Sequence, residues 1–529
     1  MNIAGILHDQ AQVIGERTAI VERGRAITFA ELDGAAASAA ADLSQAGVVP
    51  GMRAVVLSPI SIALYTTLIA MFRLRVTAVF VDPSSGRARL DACIRRVRPD
   101  AFIAVPRAHL LRLASSAVRT IPIKVAIGGW VPGAHPIGRR IADTVPPAIG
   151  PCDADTPAII TFTSGSTGEP KAAVRTHGFL IAQHRALVDS LALEAGDVDL
   201  TTLPIFLLAN LASGVTSVIP DADLRAPGAI DPAGVIAQIR TMRPTRTVAS
   251  PAFLERLAGE AVRRREHLDT FRHVFTGGAP VFPRTLDALA SVAPAASIVA
   301  VYGSTEAEPI AAIDRRDITT ADRRAMQEGA GLLAGPPARS IALRILPDRW
   351  GAPSGPWSVE AFDREALGEG GIGEIVVGGD HVLAGYLDGA GDEETKIRVG
   401  DRVWHRTGDA GYLDRRGRLW LLGRCAERVS DDKGILYPFA VECAASDVPG
   451  LGRSAFVQHG GRRVLVVERN QDRVSPREAL MTRLAWADLA DVLTVPQIPV
   501  DRRHNAKVDY PALRRMLNSR TGTSRGEPL

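Results

Sequence analysis

Short Val/Ile/Leu runs alternate with alanine-rich, helix-favouring stretches through most of the chain. Ala54–Leu57 is followed by Ile60–Arg73, and Val79–Val81 by Ala88–Arg96. Runs this short and apolar, separated by helical stretches, predict βαβ units and largely parallel sheets. At 529 residues the chain is too long for one hydrophobic core, so at least two domains are expected. The stretch from Ala54 to Met71 has the length of a membrane span. Ser58-Pro59 interrupts it after a β-like start, so it reads as a strand followed by a helix.

From about Gly370 the texture changes to shorter strands with glycine turns, at Gly373–Val377, Val403–His405 and Arg418–Leu422. This predicts a small β-rich subdomain closing the large one. After Gly423-Arg424 a polar stretch from Glu427 to Gly434 lacks apolar periodicity. A separate α+β unit is expected beyond it, with a helix near Phe439–Ala445 and strands near Ser454–Gln458 and Arg463–Glu468. The expected division is an N-terminal core domain over 1–426, a C-terminal lid over 427–518 and a frayed tail over 519–529. The basic end (Arg514, Arg515, Arg520, Arg525) reads as solvated.

Composition narrows the classes. A net charge of +4, with Arg scattered among Asp and Glu, argues against a nucleic-acid binder. Cys93, Cys152, Cys425 and Cys443 form no CxxC pair and have no His at metal spacing, which argues for a reducing compartment and against a zinc site. The first residues lack the basic and apolar regions of a signal peptide. A cytoplasmic protein without a membrane span is expected; a homo-oligomer is left open.

The sharpest local signal is Thr161-Phe162-Thr163-Ser164-Gly165-Ser166-Thr167-Gly168-Glu169-Pro170-Lys171. A β-like run, Ala158–Thr161, feeds a loop rich in hydroxyls, with two glycines and a terminal lysine. Glycines let backbone N–H groups approach an anion closely, and Ser and Thr hydroxyls add donors. This is phosphate-cradle chemistry without the spacing of a Walker loop.

That loop resembles the signature of the superfamily of acyl-CoA synthetases, luciferases and peptide-synthetase adenylation domains. The resemblance extends over nearly the whole chain, in the family's order. Thr28-Phe29-Ala30-Glu31-Leu32 and Phe80-Val81-Asp82-Pro83 resemble its N-terminal landmarks, and Gly277-Gly278-Ala279-Pro280 the segment that flanks adenine. Tyr302-Gly303-Ser304-Thr305-Glu306 is similar to its YGxTE motif, Gly373-Glu374-Ile375 through Gly385-Tyr386 to its GEI…GY stretch, and Thr407-Gly408-Asp409 to its TGD. Gly423-Arg424 opens the hinge, and Lys507 follows Arg503-His504-Asn505-Ala506 as in the family's last lysine motif.

The resemblance implies an α/β core with a mobile lid, and ATP-dependent activation of a carboxylic acid to its acyl-AMP. The carboxylate attacks the α-phosphorus while pyrophosphate leaves, so catalysis is chiefly charge neutralisation and alignment. It implies that Glu306 holds Mg²⁺, Thr305 donates to the α-phosphate and Tyr302 stacks on adenine. Asp409 and Arg424 are then ribose contacts, Lys171 belongs to the phosphate loop, and Lys507 bridges the acyl carboxylate and the α-phosphate. His177 fits a family position near the loop or is structural. Glu427 falls at the hinge, where rotation of the lid would withdraw Lys507 and expose the adenylate.

Departures from ordinary acyl-CoA ligases agree with one another. The gate segment is Leu203-Pro204-Ile205-Phe206-Leu207-Leu208-Ala209-Asn210. Leu207 stands where many CoA ligases carry His and where amino-acid adenylation domains carry Asp. An α-amino acid would leave its ammonium unpaired there. Aligned on Pro438, Lys433 occupies the position of the glycine that borders the pantetheine tunnel in CoA ligases. With Val215–Asp221 and the Leu436-Tyr437-Pro438 spacing, the pattern resembles the β-lactone synthetases of bacterial olefin biosynthesis. These adenylate a β-hydroxy acid whose own hydroxyl displaces AMP. The alternatives are an acyl-CoA ligase, with CoA as acceptor, or an acyl-AMP ligase. A nucleotide-binding pseudoenzyme is disfavoured because Lys171, Glu306, Asp409 and Lys507 are all present. The acyl pocket is expected around Phe206–Gly214, Thr276–Phe282 and Gly303–Ile310, mostly apolar. Phe206, Leu207, Asn210 and Glu308 are its candidate contacts; Glu308 either faces solvent or meets a polar group of the substrate.

Overall fold

The computed structural model describes residues 2–82, 86–138, 147–164, 170–469, 477–501 and 507–523, with Thr163, Ser164 and 520–523 described in backbone alone. Two sheets that are mostly parallel form the bulk of the chain. The first has seven strands in the order His135–Ile137, Ile123–Ile127, Ala101–Ala104, Arg53–Leu57, Thr77–Phe80, Pro157–Ser164 and Pro170–Thr176. All its pairs are parallel except the last. The second has eight strands in the order Ala311–Asp314, Ser297–Tyr302, His273–Gly277, Arg246–Ala249, Val198–Thr201, Thr216–Ile219, Thr18–Glu22 and Arg25–Thr28. It is parallel inside and antiparallel at both edges. The βαβ expectation holds, and the apolar stretch from Ala54 to Met71 is the strand Arg53–Leu57 followed by the helix Ile62–Arg73. No helix among the described residues is long and apolar enough to cross a membrane.

Local chemistry places these elements. Thr28 and Glu31 form a reciprocal cap: the Thr28 hydroxyl accepts from the Glu31 N–H at 3.2 Å, and the Glu31 carboxylate accepts from the Thr28 N–H at 2.9 Å. This starts the helix Phe29–Gln45 directly after an edge strand. Thr176 and Ser250 likewise cap the helices His177–Leu191 and Pro251–Arg264.

The antiparallel sheet starts earlier than the change of texture suggests. Its six strands include Leu332–Gly335 and Ala342–Leu346, which pair with Leu419–Arg424 and Gly373–Gly378. Pairing over such separations leaves no local mark in the sequence. Its middle strand, Arg402–Leu413, is long and carries the Thr407-Gly408-Asp409 motif. Beyond Arg424 the polar stretch is a hairpin of Val429–Asp431 with Gly434–Leu436. Then follow the helix Pro438–Ser446 and a three-stranded sheet of Ser454–His459, Arg462–Glu468 and Asp491–Val495. The last helix, Tyr510–Thr523, extends into the start of the segment expected to fray, whose residues 524–529 lie outside those described.

The second sheet also buries a cation completely. Arg246 donates to the carbonyls of Leu191 and Ala192, each at 2.8 Å, and stands 3.6 Å from Asp197 and 3.9 Å from Asp199. Removing one partner of such a set leaves charge uncompensated in the interior. Arg246→Leu is expected to destabilise the core by about 3–5 kcal/mol, seen as a lower urea midpoint with little change in the transition of the C-terminal unit.

Candidate active site

The parallel strands point their C-terminal ends, and the loops that follow, at one edge of each sheet. From the first sheet, Pro157–Ser164 leads toward the hydroxyl-rich loop, and Lys171 returns on the next strand opposite Thr163. Thr163 and Ser164 end the leading strand, while Gly165, Ser166, Thr167 and Gly168 lie outside the described residues. From the second sheet, Ser297–Tyr302 delivers Gly303, Ser304, Thr305 and Glu306, and the adjacent strand delivers Gly277 to Pro280. A Cβ on Gly277 would lie 2.5 Å from the Val301 carbonyl, so strand packing requires glycine there. Gly278 has a φ of +81° and open space around it, and Ala279 and Pro280 are half-buried beside it.

Asp409 and Arg424 face each other across the antiparallel ladder, with Arg424 Nε 3.2 Å from Asp409 Oδ1. The Tyr302 hydroxyl donates to Asp409 Oδ2 at 2.7 Å. Burial, reinforced by Asp409, holds this phenol far above its ordinary range, so Tyr302 remains a donor. Tyr302, Asp409 and Arg424 thus form one hydrogen-bonded wall. The Ser304 hydroxyl closes the next turn, accepting from the N–H groups of Glu306 and Ala307, each at 3.2 Å. Thr305 is held through its carbonyl, which accepts from Arg175 at 2.9 Å.

Glu306 follows on the same turn and is half-buried. The Tyr386 hydroxyl donates to its Oε1 at 2.8 Å. Burial works to raise this carboxyl, but His405, Tyr386 and Lys396 outweigh it and hold the group below the usual range. His405 is itself pushed down to about 3 by burial and by Lys396, so at neutral pH the lasting influences are Tyr386 and Lys396. Lys171 and Lys396 stand 5.8 Å and 5.4 Å from the Tyr386 ring centroid. Lys171 pairs with Glu394 at 2.6 Å. Among the described residues no group of three His, Cys, Asp or Glu could cage a metal ion.

The C-terminal unit reaches the same place. Lys507 sits on a turn closed by Asp501, whose Oδ1 accepts from the Lys507 N–H at 2.9 Å. Burial lowers the Lys507 ammonium and Arg424 adds to this, while Asp409, Asp501 and Glu306 oppose it. The lysine therefore stands within range of the charges that flank the Tyr302 wall. Glu427 forms an ion pair with Arg514 of the last helix, and the Arg514 side chain stays partly exposed. Lys433 lies on the exposed hairpin and pairs with Asp488.

The three candidate contacts on the helix Pro204–Ala212 are all buried. On the helix Pro204–Ala212, Phe206 packs with Phe275, Val248, Leu187 and Leu191, against the partly buried Val299 and Val301. Leu207, about 100° further round the helix, is wholly buried in the core of the first sheet. Asn210 donates to Asp199 at 2.8 Å, Thr201 at 3.1 Å and Ser217 at 3.0 Å, a closed network inside the second sheet. Glu308 is half-buried, with its Cγ 3.1 Å from where a Gly303 Cβ would stand. His177 is structural: its Nδ1 accepts from the Ile3 N–H at 3.2 Å, Phe72 packs edge-on to it, and burial pushes it down to about 4.

A family model described as AMP-binding enzyme matches residues 7–387. The chain belongs to the AMP-binding enzyme family. It is 35% identical over 504 residues to an olefin beta-lactone synthetase of Stenotrophomonas maltophilia, covering 91% of this chain and 89% of that protein. An olefin beta-lactone synthetase of Xanthomonas campestris is 34% identical, with the same coverage. Among solved structures, ATP-bound MatB from Rhodopseudomonas palustris shares the fold, with a TM-score of 0.78 and 20% identity over 98% of this chain and 99% of that one. The chain is therefore an adenylate-forming, AMP-releasing ligase or synthetase.

In this AMP-binding enzyme, Lys396 and His405 were not singled out in the sequence. Lys396 donates to the Leu383 carbonyl and lies 3.3 Å from His405 Nδ1. Burial lowers its ammonium to about 8, against the pull of Glu306 and Asp392 and with the push of Lys171. The only local signal is a Lys ahead of the strand that carries Asp409; its burial is a tertiary fact. Lys396 is charged below about pH 8 and loses its proton above. The kcat/KM for ATP should accordingly fall on the alkaline side with a limb near pH 8, and Lys396→Met should lower it at pH 7 and remove that limb. A second expectation concerns Gly391, where an added Cβ would lie 2.6 Å from Lys171 Cδ at a φ of +103°. Gly391→Ala should raise the KM for ATP in pyrophosphate-exchange kinetics by displacing Lys171, with the melting temperature changed by a few degrees at most.

Proposed function

We propose that this enzyme, acting in the cytoplasm, uses ATP and Mg²⁺ to adenylate a hydrophobic β-hydroxy acid and then closes the acyl-AMP to a β-lactone. The observation that carries this reading is the 34–35% identity to two olefin beta-lactone synthetases over 91% of the chain. The apolar cluster around Phe206 and Phe275 supports a hydrophobic acyl group. Leu207, sealed in the core, has no capacity to pair with a substrate ammonium.

Tyr302, Asp409 and Arg424 hold the nucleoside, with Gly277, Gly278, Ala279 and Pro280 lining the adenine side. Asp409 keeps lone pairs for the ribose hydroxyls beyond those engaged by Tyr302 and Arg424. Thr163, Ser164, Gly165, Ser166, Thr167, Gly168, Lys171 and Ser304 surround the phosphates. Glu306 suits Mg²⁺ because it is ionised and, among the described residues, no cage of three acidic or His groups surrounds it, leaving the remaining positions to phosphate oxygens and water. When bound, the ion neutralises charge on the phosphates. Thr305 and Lys507 address the α-phosphate.

A carboxylate oxygen of the acid forms the new bond to the α-phosphorus, and the bond to the pyrophosphate oxygen breaks. In the second step the β-hydroxyl oxygen attacks the acyl carbon, AMP departs and the hydroxyl proton is released. The nucleophile is tethered, so effective molarity replaces a second substrate. Residues 1–426 act as the core and 427–518 as a lid that turns at Glu427, withdrawing Lys507 between the two steps.

The test is product analysis by NMR with ATP, Mg²⁺ and a racemic β-hydroxy fatty acid, with and without CoA. A β-lactone with AMP release and no need for CoA is the expected result; acyl-CoA formed only with CoA present would overturn it. Lys507→Ala should slow acyl-AMP formation by about 10²–10³-fold, as for loss of one donor to a developing anion. It should slow lactone release from supplied acyl-AMP far less.

A further inference from the structure

The charge of this chain is less evenly spread than its total implies. Residues 86–142 hold eleven Lys and Arg against two acids, Asp91 and Asp100, in a chain whose net charge is +4. From 101 to 142 there is no Asp or Glu at all. This basic segment also carries three of the large apolar side chains most open to water: Leu110 is 63% exposed, Leu113 78% and Trp130 68%.

The fold brings these features together. The strands Ala101–Ala104 and Ile123–Ile127 are parallel neighbours, so the segments that follow them emerge side by side. The first is the helical stretch 106–114, which carries Leu110 and Leu113 one turn apart. The second is the loop that carries Trp130. Arg112 of the helix donates to the Pro132 carbonyl at 2.8 Å, and a Cβ on Gly129 would lie 2.9 Å from Pro106. Arg107 is exposed on the same helical stretch, and Arg119 is exposed just beyond it and donates to the Arg112 and Leu113 carbonyls at 3.1 and 3.2 Å. The helix Arg87–Val97 packs against Ser116–Arg119. Asp91 of that helix is already engaged by the Ser115 hydroxyl.

We propose that this face, formed by residues 106–114 and 128–133 and bearing Arg107, Arg112 and Arg119, docks on an anionic lipid bilayer. Single exposed apolar residues are ordinary, but adjoining Leu, Leu and Trp tips within an acid-poor basic field are not. Trp favours the headgroup boundary, Leu enters the acyl region, and arginine stems lie along apolar surface while their heads meet lipid phosphates. A nucleic-acid surface would use the arginines but has no place for the aliphatic tips. The face lies at the sheet edge where the parallel strand Pro157–Ser164 also ends. Three strand spacings, about 14 Å, separate Ala101–Ala104 from Pro157–Ser164. An enzyme seated this way would meet a hydrophobic acid where such acids collect. The inference does not depend on lactone closure.

The experiment is co-sedimentation of the full-length enzyme with vesicles of phosphatidylcholine alone and of phosphatidylcholine mixed with phosphatidylglycerol. Binding to the anionic vesicles, weakened by salt and absent with phosphatidylcholine alone, is expected. Leu110→Ser/Leu113→Ser/Trp130→Ser should weaken that binding at least about tenfold without altering charge. Arg107→Glu/Arg119→Glu should do the same without altering the apolar tips. Both variants should keep the wild-type melting temperature and pyrophosphate exchange with a short, water-soluble acid. Failure of the wild type to bind anionic vesicles would overturn the proposal, as would unimpaired binding by the triple variant. Binding to duplex DNA without vesicle binding, or a dimer dispersed by the triple variant without vesicle binding, would overturn it in favour of those partners.

Discussion

A buried ammonium organises the centre of this molecule. Lys396 lies in the interior with the Leu383 carbonyl, the His405 ring nitrogen and the Tyr386 ring as its surroundings. An isolated charge in such a place is strongly disfavoured, so the fold must supply partners. Tyr386 does so while donating to Glu306, and Lys171 stands 5.8 Å from the centroid of the same ring. Those residues come from three different sheets. Lys171 belongs to the first, Glu306 follows the last parallel strand of the second, and Lys396 and His405 are paired in the third. The surroundings of this one charge therefore draw on all three sheets.

The consequence is electrostatic. Glu306 stays ionised although buried, because the surrounding donors outweigh its desolvation. Tyr302 is held as a donor by the same low-dielectric setting. Two carboxylates, Glu306 and Asp409, thus share a region with Lys171, Lys396, Arg424 and Lys507, which suits a reaction that moves highly charged phosphate groups.

The C-terminal unit carries its own version of this arrangement. Glu442 accepts from the Tyr510 hydroxyl at 2.6 Å and from the Phe456 N–H at 2.9 Å. Burial raises it to about 7 even so. Together with the Glu427–Arg514 pair, these bonds tie the last helix to the helix Pro438–Ser446 and the strand Ser454–His459. A unit bound internally in this way can carry Lys507 as one body.

Much of this was legible in the residues themselves. Alternating apolar runs announced the parallel sheets, and the hydroxyl-rich loop, Tyr302–Glu306, Asp409 and Lys507 announced adenylate chemistry. Motifs survive in a sequence because loop chemistry depends on residue type and short spacing. Facing is different. Phe206 and Leu207 look alike on paper, yet a rotation of about 100° per residue sends one into the cluster around Phe275 and the other into the core of the first sheet. Asn210 was absorbed by Asp199, a partner eleven residues away, and Arg514 by Glu427, a partner 87 residues away. Lys396 reads as an ordinary surface lysine until the strand beside it is placed. The basic, apolar-tipped face reads as scattered charge until two parallel strands set its parts side by side. The chain by itself determined which groups could do chemistry. Only tertiary packing decided which of them are desolvated and which face one another, because burial and long-range pairing belong to no single segment.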